Sequence, residues 1–252
     1  KENMKKSFLA LASFAAIAVA CQVEKMDNEL PLVDDAVVYT ASTEAYAPAT
    51  KTAMDGLDVV WSAGDQISVF EGWDVASIYS VTSGTEGKTT AEFTVVSSAN
   101  IDETFDNELG INAAIYPYSE YAYVFAHEEM DETTFEYYST GNYVFRGIEI
   151  PKNQEYVPGS FAKGAFPMVA FTESVGDRSF EFKNLLGAVR LNLVGTDITI
   201  KSITLTDLAG GNLAGQIMNV IYGPECDPTL AFNYMDSSIS SVILNCGEGV
   251  QL

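Results

Sequence analysis

The clearest order in this chain is an alternation of apolar and polar residues with a period of two. Phe180 and Phe182 share one parity against Ser179, Glu181 and Lys183, and Val189, Leu191 and Leu193 alternate with Arg190 and Asn192. Residues i and i+2 lie on one face of a β-strand. The two runs, separated by turn-forming residues 184–187, are therefore predicted strands with one buried face. Ile198 and Ile200 continue in one parity, whereas Ile203 and Leu205 take the other. A slip of one residue sends every side chain to the opposite face, so a β-bulge or bend is predicted near Lys201 and Ser202. Further strands are predicted over residues 36–42, 58–61, 66–70, 77–81, 89–96, 112–116, 143–150 and 239–244, and the apolar run 166–171 is expected to be buried. Residues 62–65 (Ser-Ala-Gly-Asp) have turn chemistry. Residues 100–110 and 126–140 are acidic and read as long connections. No amphipathic helix of convincing length follows residue 35. Many short strands separated by turns predict an all-β fold, a β-sandwich.

The first residues follow a different pattern. Met4, Lys5 and Lys6 precede an apolar run over residues 8–20, which ends on Ala18, Val19, Ala20 and then Cys21. The run is too short for a membrane-spanning helix but has the length of the apolar region of a signal peptide. Small residues directly before a cysteine form the pattern of a bacterial lipoprotein signal, in which Cys21 becomes the first mature residue and carries acyl chains. The expected organisation is a signal peptide over 1–20, a polar tether over 21–35, and from residue 36 either one large all-β domain or two smaller ones.

Composition narrows the partners. The formal net charge is −22, and removal of Lys1, Glu2, Lys5 and Lys6 with the signal would leave the remainder more acidic still. Such a chain is repelled by nucleic acid and by anionic lipid. With Cys21 assigned to lipid, Cys226 and Cys246 remain. In an exported protein the pair can oxidise, and closing that loop would add ~3 kcal/mol in the chain-entropy account. The alternative is two buried thiols.

Three stretches, in order, resemble the fimbrillin family, the subunits and accessory lipoproteins of Bacteroidales type V pili. The first is Thr50, Lys51 and Thr52 with residues 59–70 (Val-Val-Trp-Ser-Ala-Gly-Asp-Gln-Ile-Ser-Val-Phe). The second is Ile150 and Pro151 with Gln154, Gly159, Ser160, Phe161 and residues 167–170 (Pro-Met-Val-Ala). The third is residues 182–185 (Phe-Lys-Asn-Leu) running into 200–205 and Leu213, Ala214 and Gly215. The resemblance implies two transthyretin-like β-sandwich domains in tandem, here a β-sandwich over 36–178 and a partial β domain over 179–252, and, together with the lipoprotein start, a location at the outer membrane or cell surface. It also implies assembly with other pilus subunits by donor-strand exchange, after a protease removes the first strand. Here that strand would be 36–42, with Lys51 behind it as the candidate processing site. One departure from the family is that too few residues follow Phe182 for a complete second sandwich. The last three, Val250, Gln251 and Leu252, carry no terminal strand pattern, so a fragment is expected.

Other motifs invite chemistry and lack its remaining parts. Residues 82–89 imitate a phosphate-binding loop, but Thr82 stands where the first glycine is needed and a strand follows, so a hairpin loop is expected. His127 lacks the second histidine of a zinc-protease helix and any triad signature, and reads as a surface residue. Asp102, Glu103, Asp106 and Glu108 lack the Asp/Asn-Gly spacing of a calcium loop. Tyr116, Tyr118, Tyr121, Tyr123 and Phe125 could stack on sugars, but their alternation reads first as the core face of a strand. No catalytic, cofactor or metal residue is expected. A second functional reading is a surface lipoprotein that binds a host or glycan receptor through exposed aromatics such as Trp73 or Tyr121.

Overall fold

Strands are the only regular elements among the described residues of the computed structural model, which are 37–44, 58–73, 75–99, 108–232 and 239–252. The fold is all-β with several sheets, as the alternation predicts. Seven strands close into a barrel in the order β1 (Val38–Thr43), β11 (Ser179–Asn184), β10 (Met168–Phe171), β5 (Glu108–Tyr116), β2 (Gln66–Trp73), β3 (Ala76–Val81) and β4 (Thr90–Ser97), with β4 returning to β1. A second sheet has the order β14 (Cys226–Phe232), β13 (Gly215–Gly223), β7 (Tyr137–Arg146), β6 (Tyr123–Met130), with β8 (Ile148–Ile150) also paired to β13. A third joins β12 (Thr199–Thr206), β15 (Ser241–Gln251) and β9 (Asn153–Glu155).

Two cores share the middle strands of the barrel. Ile67 and Val69 of β2, Ala114 of β5, and Met168 and Ala170 of β10 face inward with Trp61, Tyr79, Phe93, Phe180 and Phe182. Their neighbours Phe70, Ala113, Ile115 and Val169 face outward, into a second core with Val124, Phe145, Ile148, Ile217 and Val220 of the second sheet. Strands covered on both faces read as unbroken apolar runs, which is why residues 113–115 and 168–170 show no alternation. Each fully buried large side chain contributes roughly 1.5–3 kcal/mol by leaving water.

Several expectations are met in detail. The β12–β15 register shifts between Ile200 and Ser202, where the change of parity predicts a bulge. Gly249 on the facing strand has φ +117, and a Cβ there would meet Thr199 Cγ2 at 2.3 Å, so the irregular pairing requires glycine. Residues 82–89 form the loop between antiparallel β3 and β4, and Phe180 and Phe182 are buried.

Others are corrected. Residues 58–61 are not a strand, although Trp61 N–H donates to Lys88 O at 3.0 Å and its carbonyl accepts from Gly87 N–H at 2.7 Å. The acidic stretch 126–140 is the paired hairpin of β6 and β7, not a connection; Glu128 and Glu129 occupy exposed positions of β6, and Asp131, Glu132 and Glu136 lie in the exposed turn between the strands. Val189, Leu191 and Leu193 lie outside any strand and are exposed. Strands on either side of residue 179 also share sheets: β11 completes the barrel with β1, while β13 pairs with β7 and β8. The described residues from 37 onward belong to one compact unit. Cys226 and Cys246 are both free thiols, half-buried on strands of different sheets.

Candidate functional site: the seat of the first strand

Strand β1 is short, lies near the start of the described chain, and is held on both sides. Its residues 38–42 pair antiparallel with 90–94 of β4, and residues 40–43 pair parallel with 179–182 of β11. The sequence Val-Tyr-Thr-Ala-Ser-Thr alternates, and Tyr39, Ala41 and Thr43 point into the barrel. Each inward residue has a distinct seat. The Tyr39 ring stacks on Phe180 with centroids 4.9 Å apart and meets Tyr79 edge-on at 5.1 Å. Ala41 is small enough for Trp61 to close over it, and the indole Nε1 donates to the Ala41 carbonyl at 3.0 Å. Thr43 Oγ1 donates to the Val59 carbonyl at 2.7 Å. Beyond the strand, Glu44 N–H donates to Phe182 O at 3.0 Å, and Lys183 Nζ is 3.0 Å from Glu44 Oε1.

One end of the seat is closed by charge. Tyr39 hydroxyl donates to Glu71 Oε1 at 3.4 Å and accepts a hydrogen bond from Arg178, whose guanidinium lies 4.9 Å over the Tyr39 ring. Tyr79 hydroxyl and Ser77 Oγ also donate to Glu71, at 2.9 and 3.0 Å, and Arg178 Nη1 is 3.9 Å from the same carboxylate. Burial, and then the nearby Glu71 charge, push the Tyr39 and Tyr79 phenols well above their ordinary range. At the other end, Tyr116 hydroxyl donates to Asp65 at 3.1 Å. Burial raises the Asp65 carboxyl, against the Ser62 N–H and the Tyr116 hydroxyl bonded to it. β1 is thus held by backbone pairing on two sides, shaped pockets at alternate positions and a polar clasp.

The sequence-predicted residues are distributed as follows. Cys21 and Lys51 lie outside the described residues, as do Asp102, Glu103, Asp106 and the side chains of Trp73 and Glu108. Cys226 Sγ is 3.6 Å from Asn142 Oδ1, and Cys246 is on β15. His127 is half-buried on β6, with Nδ1 2.9 Å from Thr140 Oγ1. Tyr116, Tyr118, Tyr121, Tyr123 and Phe125 do not form one core face: a loop at Pro117 breaks the run, and Tyr121 is 73% exposed. Among the described residues no three His, Cys, Asp or Glu side chains are grouped to hold a metal ion. Sequence reasoning missed the Glu71–Arg178 clasp. Glu71 is one acid in an acidic chain, and its partners are 32 and 8 residues away at Tyr39 and Tyr79. No protein-family model, curated protein or solved structure matches the chain.

Proposed function

We propose that this protein is a fimbrillin-like surface lipoprotein, a pilus subunit or a tip or anchor adhesin, that joins its neighbours by exchanging the strand at the β1 position. The observation that carries the reading is the double pairing of β1 between β4 and β11, with Tyr39, Ala41 and Thr43 filling the barrel. Loss of this strand would leave two rows of unpaired backbone groups flanking a slot lined by Trp61, Tyr79, Phe93 and Phe180. An exposed double edge with apolar pockets is strongly driven to accept another strand. Any strand with apolar or small residues at alternate positions satisfies both requirements, so a second subunit can supply it.

In this reading Cys21 carries the lipid that holds the protein at the outer membrane, and cleavage at Lys51 frees β1. Transthyretin-like topology and a tandem second domain belong to the same proposal. The test is digestion of the full chain with a trypsin-like protease. The clipped protein is expected to form multimers that resist dilution, whereas Lys51→Ala stays uncut and monomeric. Clipped protein that remains monomeric in the presence of an intact donor strand would refute strand exchange. Metabolic palmitate labelling that is lost on Cys21→Ser tests the anchor separately.

A further inference from the structure

A second site lies away from the β1 seat, where the β7–β8 line breaks. Strand β13 pairs with β7 through residues 220–222 and with β8 through residues 215–217. Met218 and Asn219 are left opposite the break at Arg146 and Gly147. Gly147 has φ +81, and a Cβ there would lie 2.1 Å from the Tyr121 carbonyl oxygen and 2.6 Å from Ala122 N. Only glycine lets the 117–122 loop sit directly on this bulge. The same loop is tied to β2, because Tyr118 N–H donates to Gln66 O at 2.8 Å and Ser119 N–H donates to Ser68 Oγ at 3.2 Å.

These restraints give one wall of an open cleft of about 600 Å³, within the ~300–1,000 Å³ range of small-ligand sites. Tyr118 and Tyr121 of that loop line the cleft together with the cross-strand pairs Tyr123–Arg146 and Glu149–Gln216. Arg146 is fixed in place: Nη1 donates to the Tyr123 hydroxyl at 2.8 Å and Nε to Asn219 Oδ1 at 2.5 Å, while Cζ lies 4.9 Å from the Phe125 ring. Tyr121 is 73% exposed and Tyr123 41%. Two phenol rings are thus held open to solvent beside a carboxylate, an amide and a guanidinium.

We infer that this cleft binds a neutral hexopyranose oligosaccharide. A pyranose has an apolar C–H face that packs on a tyrosine ring and hydroxyl edges that bond side chains such as Glu149 and Gln216. A pinned wall lowers the ordering cost of binding. Anionic glycans are disfavoured by Glu149 in the cleft, by Glu120 beside Tyr121, and by the net charge of −22.

The site does not involve β1, so it is tested on the uncut full chain and stands or falls apart from strand exchange. Maltohexaose, cellohexaose and chitohexaose are titrated by isothermal calorimetry and by amide chemical shifts, with polygalacturonate as the anionic probe. At least one neutral hexasaccharide is expected to bind and to shift amides of residues 118–123 and 146–149. Tyr121→Ala should weaken it at least tenfold and Gln216→Ala several-fold, while Tyr137→Ala, an exposed tyrosine at the far end of the β6–β7 hairpin, leaves it unchanged. Both cleft side chains are exposed, so unaltered circular dichroism separates lost binding from lost fold. Failure of all three neutral probes to bind, tighter binding of polygalacturonate, or wild-type affinity in Tyr121→Ala would overturn the assignment.

Discussion

Strand β1 and residues 187–194 carry the same kind of signal and meet opposite fates. Both alternate with a period of two, and the alternation is stronger in the second, where Val189, Leu191 and Leu193 stand against Arg190 and Asn192. Yet Tyr39 and Ala41 are fully buried, whereas Val189 is 67% and Val194 93% exposed. The difference lies in the partners. β1 finds two backbone edges and pockets cut to a large ring and a small methyl. The later segment follows β11, whose edges are already taken by β1 and β10, and it lines an open apolar groove of about 750 Å³ beside the third sheet. Alternation encodes the capacity to be a strand; an unpaired neighbouring edge decides whether one forms.

The largest effect that separates the two regions is expected from truncating their side chains. Tyr39→Ala removes a stacked, buried ring and should cost ~3–5 kcal/mol, whereas Val194→Ala should change stability by less than ~0.5 kcal/mol. Urea melting of the two variants measures both, and equal losses would erase the distinction. A smaller effect is expected at the clasp. Glu71→Ala leaves the Tyr79 and Ser77 hydroxyls without their acceptor and should cost ~1–3 kcal/mol. Hydrogen exchange should show the loss concentrated in amides of β1 and its neighbours, with residues 187–194 unaffected.

The pH dependence of the same end has a definite sign. Tyr39 and Tyr79 are raised in the folded state above their ordinary 10.0, chiefly by burial. The folded state therefore holds its phenolic protons more tightly than the unfolded state. The stabilisation is complete below that value and is lost as pH rises beyond it. Phenolate absorbance should reveal late-titrating tyrosines that ionise with unfolding, and Tyr39→Phe should remove one of them. The smallest expected effect is at the acid end. Asp65 is likewise raised, so its contribution is fully present below 3.8 and fades as pH rises through its folded value. Asp65→Asn should flatten that part of a stability–pH curve.

Legibility followed locality. The bulge near Lys201 and Ser202 was readable because a change of parity is written within the single short stretch 198–205. The all-β class followed from the number of short alternating runs. Closure of the first sheet was not legible, because it joins Thr40 to Ser179 across 139 positions and no local pattern specifies that pairing. The β6–β7 hairpin was hidden by its acids: Glu128, Glu129 and Glu136 suggest a solvated connection but occupy or flank exposed strand positions. The tyrosine run was misread for a related reason. Tyr116 and Tyr123 belong to different strands, and the bend at Pro117 between them turns Tyr121 to solvent. Of the β1 seat, the strand itself and Trp61 stood out in the sequence, while Glu71 and Arg178 became meaningful only once the barrel brought them together.

Strand exchange is tested most directly by giving the cut protein a marked copy of its own first strand. A protease site placed within residues 45–57 of the full chain is cleaved, and the product is incubated with excess biotinylated peptide spanning residues 37–44. The account predicts that biotin enters the cut protein and not the uncut protein, and that a peptide carrying Tyr39→Ser does not enter. Cut protein that keeps its original strand and takes up no peptide, or that takes up both peptides equally, would contradict it.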